Sequence, residues 1–225
     1  MQDTGSGAAP EGPAAVEPAK AGPADGAKRD LRRQVAARRG GTGPPPGAGP
    51  GAGPAAADRR RAAAGAEITR RVLALPELVT AACVAAFVGL PGEPSTRPLL
   101  DALRARGTRV LLPAVREDLD LDFRAFTGIL VPGALGTREP PPAAPAVGLA
   151  AADVVLVPAV AVDAHGRRLG RGGGSYDRAL RRARSGTPFV ALVDDLAIVD
   201  EVPVDAHDLS VSVIVTPTRV LRRPV

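Results

Sequence analysis

The sequence predicts an α/β fold, with a single domain built around a mostly parallel central sheet that is flanked by helices. Two observations favour this fold class. Short runs rich in valine and leucine alternate with segments of helical periodicity over residues 80–216. Apolar residues make up 45% of the 225-residue chain but aromatic residues only 2%, so the core must be built from alanine, valine and leucine.

The first elements are a tail, a helix, a loop and a second helix. Residues 1–27 are rich in Ala, Gly, Pro and Glu without periodicity, which predicts a disordered tail before a domain over 28–225. A helix is predicted over 28–39, because Leu31 and Val35 share one stripe. The Pro/Gly-rich segment 40–57 predicts an inserted loop, since proline removes hydrogen-bond donors and glycine raises the entropy cost.

The rest of the chain alternates between helices and strands. A helix over 59–75 is expected to be capped by Asp58 and to end before Pro76. Further helices are predicted over 96–107, with Gly107 as the stop signal, and over 175–184. A period-two pattern predicts one half-exposed strand over 118–126. Buried strands are predicted over 80–88, 109–115, 153–163, 189–194 and 210–216.

Charge and cysteine content narrow the possible functions. Residues 28–71 carry eleven basic and three acidic residues, residues 1–27 carry one basic and four acidic residues, and 72–225 is neutral, so the positive part of the net charge of +5 resides in 28–71. A uniformly basic nucleic-acid surface is therefore not expected. The one cysteine, Cys83, excludes a disulfide framework and predicts a small buried side chain. Without a membrane-length apolar run or a signal peptide, the expected location is cytoplasmic, with no membrane partner.

The segment GRRLGRGGGSYDRAL (166–180) carries the main functional signal. It follows a predicted strand and precedes a predicted helix, where open α/β sheets bind ligands. Glycines let backbone N–H groups approach an anion, and arginines supply guanidinium donors for phosphate. A carboxylate at Asp177 beside such a loop indicates an intervening Mg²⁺. The loop matches neither the P-loop nor the Rossmann fingerprint, and a flexible hinge remains the alternative interpretation.

The longer stretch DVVLVPAVAVDAHGRRLGRGGGSYDRAL (153–180) resembles the signature of the 5-formyltetrahydrofolate cyclo-ligase family. Smaller pieces resemble other family segments in the same order. These are KRDLRRQVAARR (28–39), FVGLPGEPST (87–96), REP (138–140) and VPVDAHD (202–208). The resemblance covers residues 28–225 apart from the segment 40–57.

This resemblance implies an enzyme of folate-linked one-carbon metabolism with a NagB/RpiA/CoA transferase-like fold. The implied reaction converts 5-formyltetrahydrofolate to 5,10-methenyltetrahydrofolate. ATP phosphorylates the formyl oxygen, N10 attacks the activated carbon, and ADP and phosphate are released. ATP is then the co-substrate, Mg²⁺ the cofactor and 5-formyltetrahydrofolate the substrate, and the protein is expected to act as a monomer without nucleic acid.

The resemblance also assigns site residues. Arg171 is the expected catalytic residue, because it is placed to stabilise charge on the transferred phosphoryl group. Asp177 and Asp208 are the implied Mg²⁺ ligands. The implied substrate-binding residues are Val88, Glu93, Arg171, Gly172, Gly173, Gly174 and Ser175. The implied ATP-binding residues are Lys28, Arg29, Asp30, Leu31, Arg32, Arg168, Leu169, Gly170, Arg171, Gly172, Gly173, Gly174, Ser175 and Tyr176.

Departures from the family pattern keep two other functions open. Ser175 stands where the family has a second aromatic before the metal-binding aspartate, and Gly173 where some members have a lysine. A binding or regulatory protein on the same scaffold, without turnover, is therefore the second hypothesis. The third is an RNA-associated protein acting through the basic segment 28–71, against which the near absence of aromatic residues argues.

Overall fold

In the computed structural model, which describes residues 24–40 and 54–224, helices and strands alternate as the sequence predicts. The helices are α1 (Asp25–Gly40), α2 (Pro54–Leu73), α3 (Pro76–Val79), α4 (Arg97–Ala105) and α5 (Ser175–Leu180). The first six strands are β1 (Cys83–Ala85), β2 (Arg109–Val115), β3 (Leu121–Ala125), β4 (Val131–Pro132), β5 (Arg138–Glu139) and β6 (Val154–Pro158). The last five are β7 (Ala161–Val162), β8 (Arg168–Leu169), β9 (Phe189–Leu192), β10 (Val213–Val215) and β11 (Val220–Arg222).

Seven strands form the central sheet, in the order β11–β10–β9–β6–β1–β2–β3. The five inner strands run parallel, and the edge strands β3 and β11 pair antiparallel with their neighbours. Strands β4–β5 and β7–β8 form two separate antiparallel hairpins. The prediction of a mostly parallel α/β sheet is confirmed.

Alternating side chains of the inner strands build a core on each face of the sheet. Val84 packs on one face, in a cluster with Ile68 of α2 and Leu100 of α4. Its neighbour Ala85 packs on the other face, in a cluster with Leu180 of α5. This alternation is the period-two geometry of a strand. Cys83 is buried as expected, and burial raises the pKa of its thiol.

Helix α1 packs away from the sheet, against the β7–β8 hairpin. Its Leu31 and Val35, the stripe seen in the sequence, form a third cluster with Leu169 of β8 and Val202. Val35 is completely buried. Helix α1 is therefore fixed beside the loop that follows β8, which positions its polar face for the site described below.

The structure differs from the sequence predictions mainly at element boundaries. Helix α1 begins at Asp25, so residues 24–27 belong to the folded domain, and the rest of the predicted tail lies outside the described residues. Helix α2 begins at Pro54, so its first residues come from the predicted 40–57 loop and Asp58 lies inside the helix instead of capping it. The predicted strand 153–163 is two strands, because β7 turns away from the sheet to pair with β8.

Among the described residues, no helix has the length and apolar character needed to cross a membrane.

Candidate active site

A cleft of about 470 Å³ opens at the carboxyl ends of β1 and β6. The chain runs from β1 to β2 on one side of β1, and later places β6 on its other side. The strand order therefore reverses between β1 and β6, and such a switch point leaves a crevice between the loops that leave the two strands. Both loops line the cleft, one with Val88 and Glu93 after β1, the other with Ala159 and Val160 after β6.

The loop after β1 presents a buried carboxylate, Glu93. The loop turns tightly at Gly89, where a side-chain Cβ would come within 2.4 Å of the Pro94 carbonyl oxygen. The Thr96 hydroxyl accepts a hydrogen bond from the Gly89 N–H at 3.0 Å, and Arg61 of α2 donates to the Glu93 carbonyl at 3.0 Å. The Glu93 Oε2 accepts from the Leu90 N–H at 2.9 Å. The carboxylate is therefore held in place by backbone and side-chain contacts.

The β7–β8 hairpin carries the glycine loop, and the buried carboxylate of Asp163 shapes its turn. Asp163 is completely buried and accepts from the N–H groups of His165, Arg167 and Val202 at 2.9, 3.1 and 2.9 Å. Its Oδ2 also accepts from the Arg167 Nε at 2.6 Å, which raises the pKa of that guanidinium. The sequence signature contains Asp163, but its structural role was not predicted.

The glycine loop (170–174) is held by its carbonyl groups. Arg32 of α1 donates to the Gly170 carbonyl at 2.8 Å, and Arg178 of α5 donates to the Gly173 carbonyl at 3.0 Å. Gly172 and Gly174 have φ values of +110° and +65°, which favour glycine. Within the described residues, the N–H groups of positions 170–175 donate no hydrogen bond, so they remain available to an anion at the cleft.

Asp177 follows the loop and is paired with a buried arginine. The Arg168 guanidinium, on a side chain only 2% exposed, donates to the Asp177 Oδ1 at 2.6 Å. The same oxygen accepts from the Leu209 N–H at 3.3 Å, which brings α5 next to the segment containing Asp208. The Arg168 guanidinium also lies 6.0 Å from the centre of the Tyr176 ring. Burial raises the pKa of the Tyr176 hydroxyl, with a further contribution from the charge of Glu93, so the phenol stays neutral.

Lys28 of α1 reaches the cleft between two carboxylates. Its Nζ lies 2.7 Å from the Asp205 Oδ2 and 2.6 Å from the Asp208 Oδ2. The Asp205 N–H in turn donates to the Asp208 Oδ2 at 2.8 Å. Burial alone would lower the pKa of Lys28, but these two carboxylates raise it above its usual value. The hydrogen bond from Lys28 lowers the pKa of Asp205.

Arg171 extends from the glycine loop across to Glu93. Its guanidinium donates to the Glu93 Oε1 at 2.9 Å, while its side chain remains 59% exposed. The structure therefore joins the expected catalytic arginine to the expected substrate-binding carboxylate. A ligand that binds to Glu93 must share or replace this ion pair.

Most of the predicted site residues line this one cleft. They are Lys28, Arg32, Val88, Glu93, Arg168, Leu169, Gly170, Arg171, Gly172, Gly173, Gly174, Ser175, Tyr176, Asp177 and Asp208. The structure does not bring the other three into the lining. Arg29 and Asp30 are exposed on α1, and Leu31 packs in the core cluster under that helix. The run 28–32 is helical, so only two of its five side chains face the cleft.

The donor set at the cleft fits a magnesium ion that keeps most of its ligands from solvent and substrate. No group of three or more His, Cys, Asp or Glu side chains able to hold a metal occurs in the described parts of the chain. Asp177 and Asp208 do line the same cleft, with 20% and 14% of their side chains exposed. Each uses one oxygen in its ion pair, and Mg²⁺ in nucleotide sites needs only one or two protein carboxylates.

The fold and the cleft define an α/β protein whose ligand site combines a glycine loop, buried cations and carboxylates at a sheet switch point. Comparison with known proteins is consistent with this class. The model of the 5-formyltetrahydrofolate cyclo-ligase family matches residues 24–217. The chain therefore belongs to the 5-formyltetrahydrofolate cyclo-ligase family, and its members are ligases.

Individual relatives agree with this family membership. A 5-formyltetrahydrofolate cyclo-ligase of Mycolicibacterium smegmatis is 44% identical over 143 residues, which cover 60% of this chain and 74% of the relative. One of Escherichia coli is 34% identical over 163 residues, covering 69% and 89%. The solved 5,10-methenyltetrahydrofolate synthetase of Aquifex aeolicus superposes with a TM-score of 0.70 at 27% identity, covering 87% of this chain and 92% of that one.

Proposed function

We propose that this protein converts 5-formyltetrahydrofolate to 5,10-methenyltetrahydrofolate with ATP and Mg²⁺, and releases ADP and phosphate. In the first step, the formyl oxygen attacks the γ-phosphorus of ATP and ADP leaves. In the second step, N10 attacks the activated carbon and loses its proton, and the C–O bond to phosphate breaks as the methenyl bridge closes. Such chemistry depends on the positioning of both substrates, neutralisation of charge and exclusion of water.

The phosphates of ATP are assigned to the glycine loop. The unpaired N–H groups of positions 170–175 and the nearby guanidinium of Arg32 form a donor set suited to phosphate oxygens. Lys28 adds a charge that its raised pKa keeps positive at neutral pH. Asp177 and Asp208 would hold Mg²⁺, which would offset the charge of the phosphates and of the transferred group.

The folate is assigned to the side of the cleft that follows β1. Glu93 is buried and can accept paired N–H donors from the aminopyrimidine edge of the pterin. Val88 offers an apolar contact beside it. Arg171 now pairs with Glu93; when the pterin takes that carboxylate, the guanidinium becomes available to the phosphoryl group in transfer.

The observation that carries this proposal is the convergence of two distant segments on one cleft. Lys28 and Arg32, near the start of the chain, lie beside the glycine loop, with a direct contact between Arg32 and Gly170. The basic face of α1 is therefore turned toward a small-molecule cleft, and this placement favours the ligase over RNA binding as the role of these residues.

A direct assay tests the proposed function. Purified protein with ATP, Mg²⁺ and 5-formyltetrahydrofolate should generate the near-UV absorbance of the methenyl product. We expect Asp177→Ala to abolish turnover with the fold retained, and Lys28→Ala to raise the KM for ATP more than that for the folate. Arg70→Gln, on the exposed face of α2, is the matched control and should behave as wild type.

The alternative function, a non-catalytic binding protein, is motivated by Ser175 and predicts a different result in this assay. If the wild-type protein is folded and binds ATP but yields no methenyl product, the proposed ligase is wrong and a non-catalytic binding protein is favoured. Ser175→Tyr would then separate a lost stacking surface from a wrong assignment. Turnover restored by this one substitution would trace the loss to the missing aromatic ring.

A further inference from the structure

The cations that line the cleft are unequally paired. In the described lining, Lys28, Arg168 and Arg171 each bind a carboxylate. Arg138 and Arg32 instead contact only carbonyl oxygens in the described residues, and the Arg138 contact, to Leu130, is 3.3 Å long. Arg32 lies beside the glycine loop, where the proposed function places phosphate. Arg138 lies on β5 and has no such assignment, so its exposed guanidinium can pair with a second anion at the cleft.

The β4–β5 hairpin that carries Arg138 is built rigidly onto the sheet. The neighbouring Glu139 is buried, and its Oε1 accepts from the Thr137 hydroxyl and, at 3.3 Å, from the Val115 N–H of β2. Gly133 leaves the space that this carboxylate fills, because a Cβ there would lie 2.2 Å from the Glu139 Cδ. Arg138, next along the strand, points to the opposite side and is exposed.

The turn of the same hairpin presents a strained apolar residue at the cleft. Leu135 has φ +55° and is 77% exposed, although it lines the cleft. A leucine in this region costs about 1–2 kcal/mol, and an exposed side chain regains nothing by burial in the protein itself. Strain of this kind concentrates where a ligand is bound. The hairpin therefore offers an apolar contact and a cation three residues apart.

We propose that the β4–β5 hairpin is the binding site for the p-aminobenzoyl-glutamate tail of the folate. Leu135 contacts the face of the benzoyl ring, and the Arg138 guanidinium pairs with a glutamate carboxylate. This inference rests on the proposed function, because it takes the pterin to be bound at Glu93 in the same cleft. It extends that function by identifying residues that select a glutamylated substrate.

Substrate truncation tests the role of Arg138. The wild-type protein and Arg138→Gln are assayed with 5-formyltetrahydrofolate and with its analogue in which the benzoyl group ends as a primary amide. For the variant we expect the KM of the glutamylated substrate to rise by about ten- to a hundredfold, as for loss of a charged hydrogen bond. The KM values for the amide analogue and for ATP should not change, and Arg138→Lys should restore part of the loss.

The possible outcomes distinguish failure of the proposed tail-binding site on the β4–β5 hairpin (the tail site) from failure of the proposed function. No methenyl product from the wild-type protein with either substrate overturns the proposed function. Product from the wild-type protein, with an Arg138→Gln loss that is absent or equal for both substrates, overturns the tail site alone. Arg70→Gln serves again as the control for a surface arginine outside the cleft.

Leu135→Gly gives a second test, because fold stability and binding should move in opposite directions. Glycine tolerates positive φ, so we expect the melting temperature to rise by a few degrees. The KM for both folate substrates should rise several-fold, because both retain the ring. An unchanged KM would show that Leu135 does not contact the benzoyl ring.

A measurement on the wild-type protein needs no variant. p-Aminobenzoyl-glutamate should compete with 5-formyltetrahydrofolate, and p-aminobenzamide should compete at least tenfold more weakly. Equal inhibition by the two compounds would overturn the assignment of a carboxylate to Arg138.

Discussion

One group of three charges beside the cleft consists of Lys28, Asp205 and Asp208. Asp205 does not line the cleft, yet it shares the Lys28 ammonium with Asp208 and accepts from the Ala24 N–H at 3.4 Å. Asp205 balances part of the charge of Lys28, so Asp208 is not the only carboxylate paired with this lysine. Asp205 is therefore a positioning residue, since it acts through Lys28 and Asp208.

We predict that Asp205→Asn raises the KM for ATP several-fold and changes the KM for the folate little, because Lys28 loses one of its two anchors. The substitution should also weaken the dependence of the free energy of unfolding on pH in the acid range. The pKa of Asp205 is lowered in the folded protein, so its contribution is complete above the unfolded pKa of about 3.9 and is lost as the pH falls through the folded value.

Urea unfolding at pH 7 and pH 3 checks this prediction. The wild-type protein should be more stable than Asp205→Asn at pH 7, and the gap should narrow at pH 3. The pKa of Lys28 is raised, so its share of the stability persists up to about pH 10 and is lost above it. A gap that is independent of pH, with both KM values moved equally, would contradict the positioning role.

Tyr176 carries a buried hydroxyl that makes no hydrogen bond within the described residues. An unsatisfied buried hydroxyl costs about 1–3 kcal/mol. We therefore predict that Tyr176→Phe leaves the free energy of unfolding unchanged or raises it by about 1 kcal/mol. A clear loss of stability would mean that the hydroxyl has a partner in the folded protein. Parallel KM measurements show whether a substrate supplies that partner.

Among the elements, the glycine loop depends on backbone geometry more than on any one side chain. Gly172 has φ +110°, and a Cβ there would lie 3.5 Å from the Arg32 guanidinium carbon. We predict that Gly172→Ala raises the KM for ATP by about tenfold, which corresponds to about 1.4 kcal/mol of strain or lost contact.

The adjacent Gly173 provides the control for this prediction. Its φ is not positive, and a Cβ there would meet the Ser175 Oγ at 3.3 Å and the Leu119 side chain at 4.0 Å. Gly173→Ala should therefore be tolerated better than Gly172→Ala. Equal effects of the two substitutions would show that conformation at Gly172 is not what limits the loop.

The extent to which elements could be predicted follows from their length and burial. Strand β2 coincides with the predicted 109–115, because its apolar run is long and bounded by turns. The two-residue strands β7 and β8 carry no periodicity of their own, so the sequence merged β7 with β6. Strand β11 was not predicted, because it is short and half-exposed at the sheet edge.

The site could be predicted where its residues form a contiguous signature. Residues 168–177 were all predicted, and all line the cleft. The sequence analysis assigned no role to Asp205, Leu135 or Arg138. The proposed roles of these residues depend on their positions in the folded chain, which no sequence motif indicates. The left-handed backbone at Leu135 leaves no trace in the sequence, since a leucine there is unfavourable.

At the scale of the whole molecule, α1 is held by its apolar stripe on the β7–β8 hairpin and by the ion pairs of Lys28. We predict that a variant lacking residues 1–23 keeps full turnover, because α1 and its anchors at Ala24 and Lys28 remain. A variant lacking residues 1–33 should lose turnover, because it lacks Lys28 and Arg32.

Steady-state kinetics and circular dichroism on both deletion variants check this prediction. The longer deletion should retain the α/β spectrum of the sheet while the KM for ATP rises beyond measurement. A large loss of activity on deletion of 1–23 would show that these residues contribute to catalysis or to substrate binding.

Lys28 and Asp208 meet across 180 positions of sequence. The two halves of the cleft can therefore join only after residue 208 has been synthesised, and a nascent product stopped before residue 205 has an ammonium without its counter-charges. Premature termination of translation should thus yield inactive fragments and no partly active ligase. By the same geometry, separately expressed amino- and carboxyl-terminal pieces should regain turnover only when they reassociate.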